Sequence, residues 1–240
     1  MAFIEWRPRS HFGWNVAMTR ILHVSCSPRG EAAESYRLAR QIVGFLLMSE
    51  PTALVMNRVV GDGDLPHIDG DYAISQQSSV DASQEGSASC SEALIQELES
   101  ADVVVIGTPM HNFTVPASLK LWIDHIVRVR RTFEITPQGK VGTLRDRPVF
   151  VAVSSGGRYS GERARQPDFL APYLRAILGM IGLHHLVFFS VQGAAFGPEA
   201  VAEARAQTDR ALEEYFRRCN RVAGRRCSCG QDADASKMTG

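Results

Sequence analysis

The sequence has no excess of charge of either sign and no long apolar run. Its 26 basic and 26 acidic side chains cancel to a formal net charge of zero. A general nucleic-acid binder usually needs a basic excess to neutralise phosphates, so we expect no nucleic-acid partner. No apolar run approaches the roughly 20 residues of a membrane span, so we also expect no membrane segment.

Cysteine is scarce. The 240 residues hold five cysteines, an odd number that argues against a disulfide framework and favours a reducing cytoplasm. The N-terminal residues lack the apolar core of a secretory signal, which favours the same compartment. Cys227 and Cys229 form a C-x-C pair, but no further ligands stand at a suitable spacing. We therefore expect no metal site.

Two common nucleotide fingerprints are also missing, because no G-x-G-x-x-G follows the first apolar run and no P-loop occurs anywhere. Short apolar runs instead alternate with helical patterns, which predicts an α/β domain with a parallel sheet. Five strands favour a flavodoxin-like, doubly wound sheet of order 2-1-3-4-5 with helices on both faces. The predicted strands are 21–25, 53–60, 102–107, 148–153 and 186–189, the predicted helices are 35–49, 92–100, 116–129, 168–181 and 198–218, and a hairpin is predicted within 132–144.

The two ends of the sequence differ from the middle. Residues 1–18 show no clear period, and we expect them to form an extension outside the fold. Residues 19–223 hold all the alternating elements and form the predicted ligand-binding domain. Residues 224–240 are small and polar without apolar periodicity, which predicts a disordered tail.

Ligands of such sheets bind outside the carboxyl ends of the strands, where the strand order reverses. The first loop at that point, 25–35, is rich in hydroxyl groups and leads into a helix. Ser27 and Ser35 would help a helix N-terminus to bind a phosphate, although either serine alone also fits an ordinary N-cap. Cys26 has no evident base beside it and is interpreted as a packed, inert thiol.

The other two loops suit a flat ring. In 108–116, Met110 and Phe113 offer an apolar floor and Asn112 offers a donor and an acceptor, although a turn with core-facing side chains fits as well. The paired glycines Gly156 and Gly157 allow backbone N–H groups to approach a ligand, or form a plain turn. Together the three loops describe a flat heterocycle with a phosphate tail, which suits FMN.

On these stretches the sequence resembles the FMN-dependent NAD(P)H azoreductase and quinone reductase family, within the flavodoxin-like fold. The resemblance covers roughly residues 19–220. The matching stretches are 25–38, the run Pro109-Met110-His111-Asn112-Phe113 through 132–133, 154–157, and 172–182.

The resemblance implies one noncovalent FMN per subunit. Its phosphate would be held by Ser27 and by the turn Ala33-Glu34-Ser35. The isoalloxazine would lie along the loop 108–116, and its pyrimidine edge would meet the loop that contains Gly156 and Gly157. The implied ring contacts are Met110, His111, Asn112, Phe113, Ser154, Ser155, Gly156 and Gly157. No side chain is implied as a dedicated catalytic acid or base.

Two residues depart from the family pattern. His111 stands where family members usually carry tyrosine, and Glu34 stands where an uncharged polar residue is more usual. A carboxylate repels a phosphate, so we expect the Glu34 side chain to point outward while its backbone N–H faces the ligand.

The resemblance also implies an activity and an assembly. Two electrons would pass from NADH or NADPH to quinones or aromatic azo compounds by a ping-pong mechanism. The protein would be a homodimer, and Phe113, Phe133 and Tyr159 are candidates for its interface. An electron carrier is the main alternative, although such carriers are usually strongly acidic. A hydrolase using Cys26 or Ser27 is a second alternative, but no His–Asp pattern accompanies either residue.

Overall fold

The fold is built on a central parallel sheet and a separate two-stranded hairpin. The computed structural model describes residues 18–75 and 86–228. The strands are β1 (Arg20–Ser25), β2 (Leu54–Val59), β3 (Val103–Pro109), β4 (Phe133–Thr136), β5 (Gly139–Gly142), β6 (Val149–Ser155) and β7 (Leu186–Gln192). The five parallel strands follow the order β2-β1-β3-β6-β7, and β4 pairs with β5 alone. The predicted order 2-1-3-4-5 and the separate hairpin are therefore confirmed.

Helices connect the strands and cover both faces of the sheet. They are α1 (Glu34–Ser49), α2 (Gly70–Ser75), α3 (Gly86–Ser100), α4 (Ala117–Ile126), α5 (Leu170–Met180) and α6 (Pro198–Ser228), with short 3₁₀ turns at Gly30–Ala32 and Ala194–Phe196. Among the described helices, none is long and apolar enough to cross a membrane.

The central strand β3 explains why the sheet needs helices on both sides. Val103 and Val105 belong to one apolar cluster, whereas Val104 and Ile106 belong to the other. Because successive side chains of a strand point to opposite faces, an apolar run must be covered twice. Helices α1 and α6 supply Leu38, Ile42, Leu46, Leu212 and Phe216 to the first cluster, and α3, α4 and α5 supply Leu94, Leu98, Leu119, Trp122, Leu174 and Leu178 to the second.

Two helix limits differ from the prediction by six residues or more. Helix α3 begins at Gly86 rather than at residue 92, because its first turns bury the small side chains Ser87, Ala88 and Ser91, which give no apolar period. Helix α6 continues to Ser228 instead of ending at Arg218. It thus includes the first residues of the predicted tail. The remaining tail residues and residues 1–17 of the predicted extension lie outside the described residues.

The strand register brings the three candidate loops to one edge of the sheet. Ser25 lies beside Gly107, and Pro109 lies beside Ser154. Backbone hydrogen bonds continue this pairing past the strand ends, from Cys26 N to Gly107 O at 2.9 Å and from Met110 N to Ser154 O at 2.7 Å. The loops after β1, β3 and β6 therefore start side by side, where a ligand of this topology is expected.

Candidate functional site

The loop after β1 turns sharply before it enters α1. The Ser27 carbonyl accepts a hydrogen bond from Gly30 N at 3.0 Å, and the Ser27 hydroxyl oxygen accepts one from Arg29 N at 3.2 Å. Ala33 N donates to Gly30 O at 3.1 Å, so this N–H already has an acceptor in the protein. A Cβ at Gly61 would lie only 2.3 Å from Ser27 O. Only glycine therefore allows the chain after β2 to pack against this loop.

The first turn of α1 follows directly. The first N–H groups of any α-helix have no acceptor within the helix, so this end of α1 favours an anion. The Ser35 side chain is fully buried, and its hydroxyl has no hydrogen-bond partner among the described residues. A ligand oxygen that reached it would supply the missing partner, provided that the covering atoms shift. Gly107 makes room here, because a Cβ at Gly107 would lie 3.0 Å from Ser35 O.

The Glu34 carboxylate lies between Arg205 and Arg37, and only 13% of the Glu34 side chain is exposed. Arg205 on α6 donates to it from Nη2 at 2.5 Å and from Nε at 3.0 Å, and Arg37 Nε donates at 2.5 Å. Burial raises the pKa of Glu34, but the hydrogen bonds from Arg205 and Arg37 outweigh it and hold the pKa below its ordinary value. The side chain is therefore charged at neutral pH.

The β3 loop makes a tight turn with an uncommon backbone. His111 and Thr114 exchange both backbone hydrogen bonds at 3.0 Å and so close the turn around Asn112 and Phe113. Asn112 has φ 48° and Phe113 has φ 70°, which places both in the left-handed region. Asparagine tolerates that region, whereas an aromatic residue is strained there, and such strain clusters at functional sites. The turn leaves the Phe113 side chain 44% exposed.

Gln166 links two of the candidate loops, and no sequence pattern singled it out. Its amide Nε2 lies 3.2 Å from the sulfur of Met110, which is itself buried. A Cβ at Gly157 would lie 2.0 Å from the Gln166 side-chain oxygen. The glycine thus leaves space for Gln166 to lie between the β3 and β6 loops.

The β6 loop is anchored through its carbonyl groups. Gly156 O accepts a hydrogen bond from Ala195 N at 3.1 Å, and Gly157 O accepts from Gly193 N at 3.2 Å and from the Ser155 hydroxyl at 2.7 Å. Within the described part of the chain, the N–H groups of Gly156 and Gly157 donate to no protein acceptor. The loop therefore presents two backbone donors that a ring carbonyl or ring nitrogen can use.

The alternative nucleophiles are poorly placed for hydrolysis. Cys26 is fully buried, and burial raises the pKa of its thiol far above the ordinary value. Because the thiolate is the reactive form, this environment keeps the residue inert. Ser27 is only 4% exposed. Across residues 18–75 and 86–228, no group of three or more His, Cys, Asp or Glu side chains is arranged to hold a metal ion.

The structure brings the predicted residues to the same sheet edge, but several important neighbours were not predicted. Gly61 follows β2 and Gly107 lies within β3. A glycine at such a position indicates only weakly that another backbone segment packs closely against it. Gln166 and Arg205 gave no local signal, because their contacts are with residues distant in the chain. Phe133, an expected interface residue, is only 7% exposed and packs into the core.

Comparisons with known proteins agree with this fold. The model of a family described as having a flavodoxin-like fold matches residues 19–216. The FMN-dependent NADH:quinone oxidoreductase 4 of Pseudomonas fluorescens is 48% identical over 196 residues, which are 81% of this chain and 92% of that protein. The FMN-dependent NADH:quinone oxidoreductase 5 of Burkholderia lata is 46% identical over 193 residues, which are 79% of this chain and 93% of that protein.

A solved structure shows the same fold at lower identity. The azoreductase from Bacillus anthracis str. Sterne superposes with a TM-score of 0.71 at 24% identity, over 85% of this chain and 100% of that one. The matches to the two relatives extend over nearly their whole length. The chain therefore belongs to the family of FMN-dependent NADH:quinone oxidoreductases, which has the flavodoxin-like fold.

Proposed function

We propose that this chain binds one noncovalent FMN per subunit and uses it to reduce quinones and aromatic azo compounds with NADH, or NADPH, as the electron donor. The observation that carries the proposal is the convergence of three loops at the edge of the sheet where the strand order reverses. The first and the third of these loops offer donors that have no acceptor among the described residues. The names of the relatives from Pseudomonas fluorescens and Burkholderia lata support FMN, NADH and quinones as the reactants.

The first turn of α1 fits a phosphate. Its N–H groups and the positive end of the helix dipole favour an anion, and the Ser35 hydroxyl has no hydrogen-bond partner in the part of the chain that the structure describes. Ser27 would donate its hydroxyl hydrogen, because its oxygen already accepts from Arg29 N. Glu34 would contribute its backbone N–H alone, since its carboxylate is held by Arg205 and Arg37.

The β3 and β6 loops fit the isoalloxazine. Met110, His111, Asn112 and Phe113 would lie along the ring, and the free N–H groups of the glycine loop would bind its polar edge. When bound, FMN supplies the redox chemistry by accepting a hydride from the nicotinamide and passing two electrons to the oxidant. The glycine N–H groups would then stabilise negative charge at the ring edge. No side chain is assigned as a dedicated acid or base.

The phosphate assignment is tested by comparing FMN with riboflavin, which lacks the phosphate. Ser27→Ala and Ser35→Ala should each weaken FMN binding more than riboflavin binding, as measured by quenching of flavin fluorescence. Ser49→Ala, at the far end of α1, serves as the control and should change neither. Equal losses for the two flavins would show that these serines do not contact a phosphate.

We further propose ping-pong turnover, because the nicotinamide and the oxidant would occupy the same stacking surface in turn. The partly exposed Phe113 ring at the β3 loop supports a single shared surface. Initial rates measured over several quinone concentrations should give parallel double-reciprocal plots. Intersecting plots would indicate two separate sites. FMN binding without NADH-dependent turnover would instead favour an electron carrier.

A homodimer in the cytoplasm completes the proposal. Phe113 and Phe169 are neighbours, since Phe169 N donates to Phe113 O at 3.0 Å, and both side chains are exposed. A subunit interface would cover this apolar pair beside the site. The thiols of Cys26 and Cys90 are not joined in a disulfide within the described residues, which fits a reducing compartment. Light scattering of the active protein should give about twice the 26.4 kDa mass of one chain.

We also propose that residues 19–223 form the FMN-binding unit. The family match over residues 19–216 and the start of β1 at Arg20 support the first limit, whereas α6 continues past the second limit to Ser228. Deletion of residues 1–17 should leave FMN binding and the melting temperature unchanged. A lower melting temperature after this deletion would show that the extension contributes to the fold.

A further inference from the structure

An ion-pair cluster joins the first turn of α1 to the last helix. Glu34 and Arg205 are 171 residues apart, yet three contacts of 2.5–3.1 Å connect the carboxylate with the guanidinium. Only 13% of the Glu34 side chain is exposed, compared with 47% of Arg205. Arg37 holds Glu34 Oε1 from the same helix, so Arg205 is the main partner of Oε2.

The charges of this cluster balance only when Arg205 is present. Asp209 Oδ1 lies 3.5 Å from Arg37 Nη1, so Glu34 and Asp209 contribute two negative charges and Arg37 and Arg205 contribute two positive charges. Removal of Arg205 would leave two negative charges against one positive charge. A net negative cluster would then stand at the helix end that favours an anion.

Geometry adds a second effect. A carboxylate in the first turn of a helix can accept hydrogen bonds from the free N–H groups of that turn, as acidic residues do in helix caps. Arg205 directs Oε2 of Glu34 toward α6 and away from this alternative. The N–H groups of the first turn then stay available for another anion.

We infer that Arg205 is a positioning residue for the phosphate end of the cofactor site: it neutralises Glu34 and keeps the first turn of α1 free for the FMN phosphate. This inference rests on the proposed FMN-binding function. It also explains why an acidic residue, Glu34, can stand in the turn that would hold the phosphate.

The test compares FMN and riboflavin binding to the full-length apo-protein. Arg205→Met keeps the aliphatic stem but removes the charge, and it should raise the dissociation constant of FMN about tenfold while changing that of riboflavin less than about twofold. Arg205→Lys should restore most of the FMN affinity. Arg218→Met breaks an ion pair with Glu214 elsewhere on the same helix and should change neither constant.

A double-mutant cycle separates the charge effect from a packing effect. In a Glu34→Gln background, Arg205→Met should have little further effect on FMN binding, because no carboxylate remains to be neutralised. The inference would be overturned if Arg205→Met left the dissociation constant of FMN unchanged, or if it weakened FMN and riboflavin binding equally. It would also be overturned if Arg205→Met weakened FMN binding as much in the Glu34→Gln background as in the wild type. Wild-type protein that binds neither flavin would refute the proposed function itself, and the inference with it.

Discussion

The left-handed conformation of Phe113 predicts which of two variants at this position, glycine or alanine, is more stable. At ordinary positions alanine stabilises a folded chain more than glycine, by about 0.5–1 kcal/mol, because glycine loses more backbone entropy on folding. At a left-handed position the side chain of any L-residue costs about 1–2 kcal/mol, which glycine avoids. Since Phe113 has φ 70°, Phe113→Gly should be more stable than Phe113→Ala, by about 1 kcal/mol.

The comparison of two variants removes the contribution of the ring. Alanine and glycine both lack the aromatic side chain, so the loss of its packing cancels between them. For a chain of this size, about 1 kcal/mol corresponds to a difference of about 2–4 °C in melting temperature. The measurement uses the apo-protein, because a bound flavin would shift the melting temperature by mass action.

Met48 provides the matched control. It is a large apolar side chain with 70% exposure, and it lies in the last turn of α1 outside the left-handed region. Here Met48→Ala should be more stable than Met48→Gly by about 1 kcal/mol. If the melting temperature of Phe113→Ala equals or exceeds that of Phe113→Gly, the reasoning that the turn is strained is refuted. Both Phe113 variants should weaken FMN binding to a similar degree, because both remove the ring.

Three further predictions concern buried polar groups. Burial raises the pKa of the Cys26 thiol, so iodoacetamide at about pH 8 should modify Cys26 only after unfolding, and labelling of the native protein seen by mass spectrometry would contradict this. Burial lowers the pKa of His23, so the unfolded chain binds more protons and stability should decrease as the pH falls below about 6.5. In His23→Gln the melting temperature should therefore decrease less between about pH 7 and about pH 5 than in the wild type. An equal decrease in both proteins would exclude His23 as the cause of the pH dependence. The buried Arg147 guanidinium donates to the carbonyls of Leu98 and Ala101 at the end of α3. Arg147→Met should therefore lower the free energy of unfolding, measured in urea, by about 3 kcal/mol. A decrease of less than about 1 kcal/mol would contradict this prediction.

The strands and their order were predictable because burial on both faces leaves a clear signal. β3 and β6 are apolar at nearly every position, and each lies between two layers of helices. The start of α3 was not predictable from periodicity, since its buried face uses Ser87, Ala88 and Ser91. Close helix packing there depends on small side chains, and small side chains carry little hydrophobic signal.

The candidate loops were predictable for a topological reason, whereas their supporting contacts were not. Once the strand order is known, the carboxyl ends of β1, β3 and β6 must adjoin, and the residues that follow them are the natural ligand contacts. The partners that orient these loops come from remote parts of the chain. Arg205 reaches Glu34 from α6, and Gln166 reaches Met110 from the segment before α5. No local pattern encodes such pairs.

The strained turn at Phe113 persists because bonds on both sides hold it. Before the turn, Met110 N donates to Ser154 O at 2.7 Å, and after it the paired backbone of His111 and Thr114 closes the loop. Phe169 N adds a third contact, to Phe113 O itself. Strain of about 1–3 kcal/mol survives only where the surroundings determine the conformation, and these bonds do so from two neighbouring segments. The arrangement keeps an aromatic ring partly exposed beside the carboxyl end of β3, where the candidate site lies.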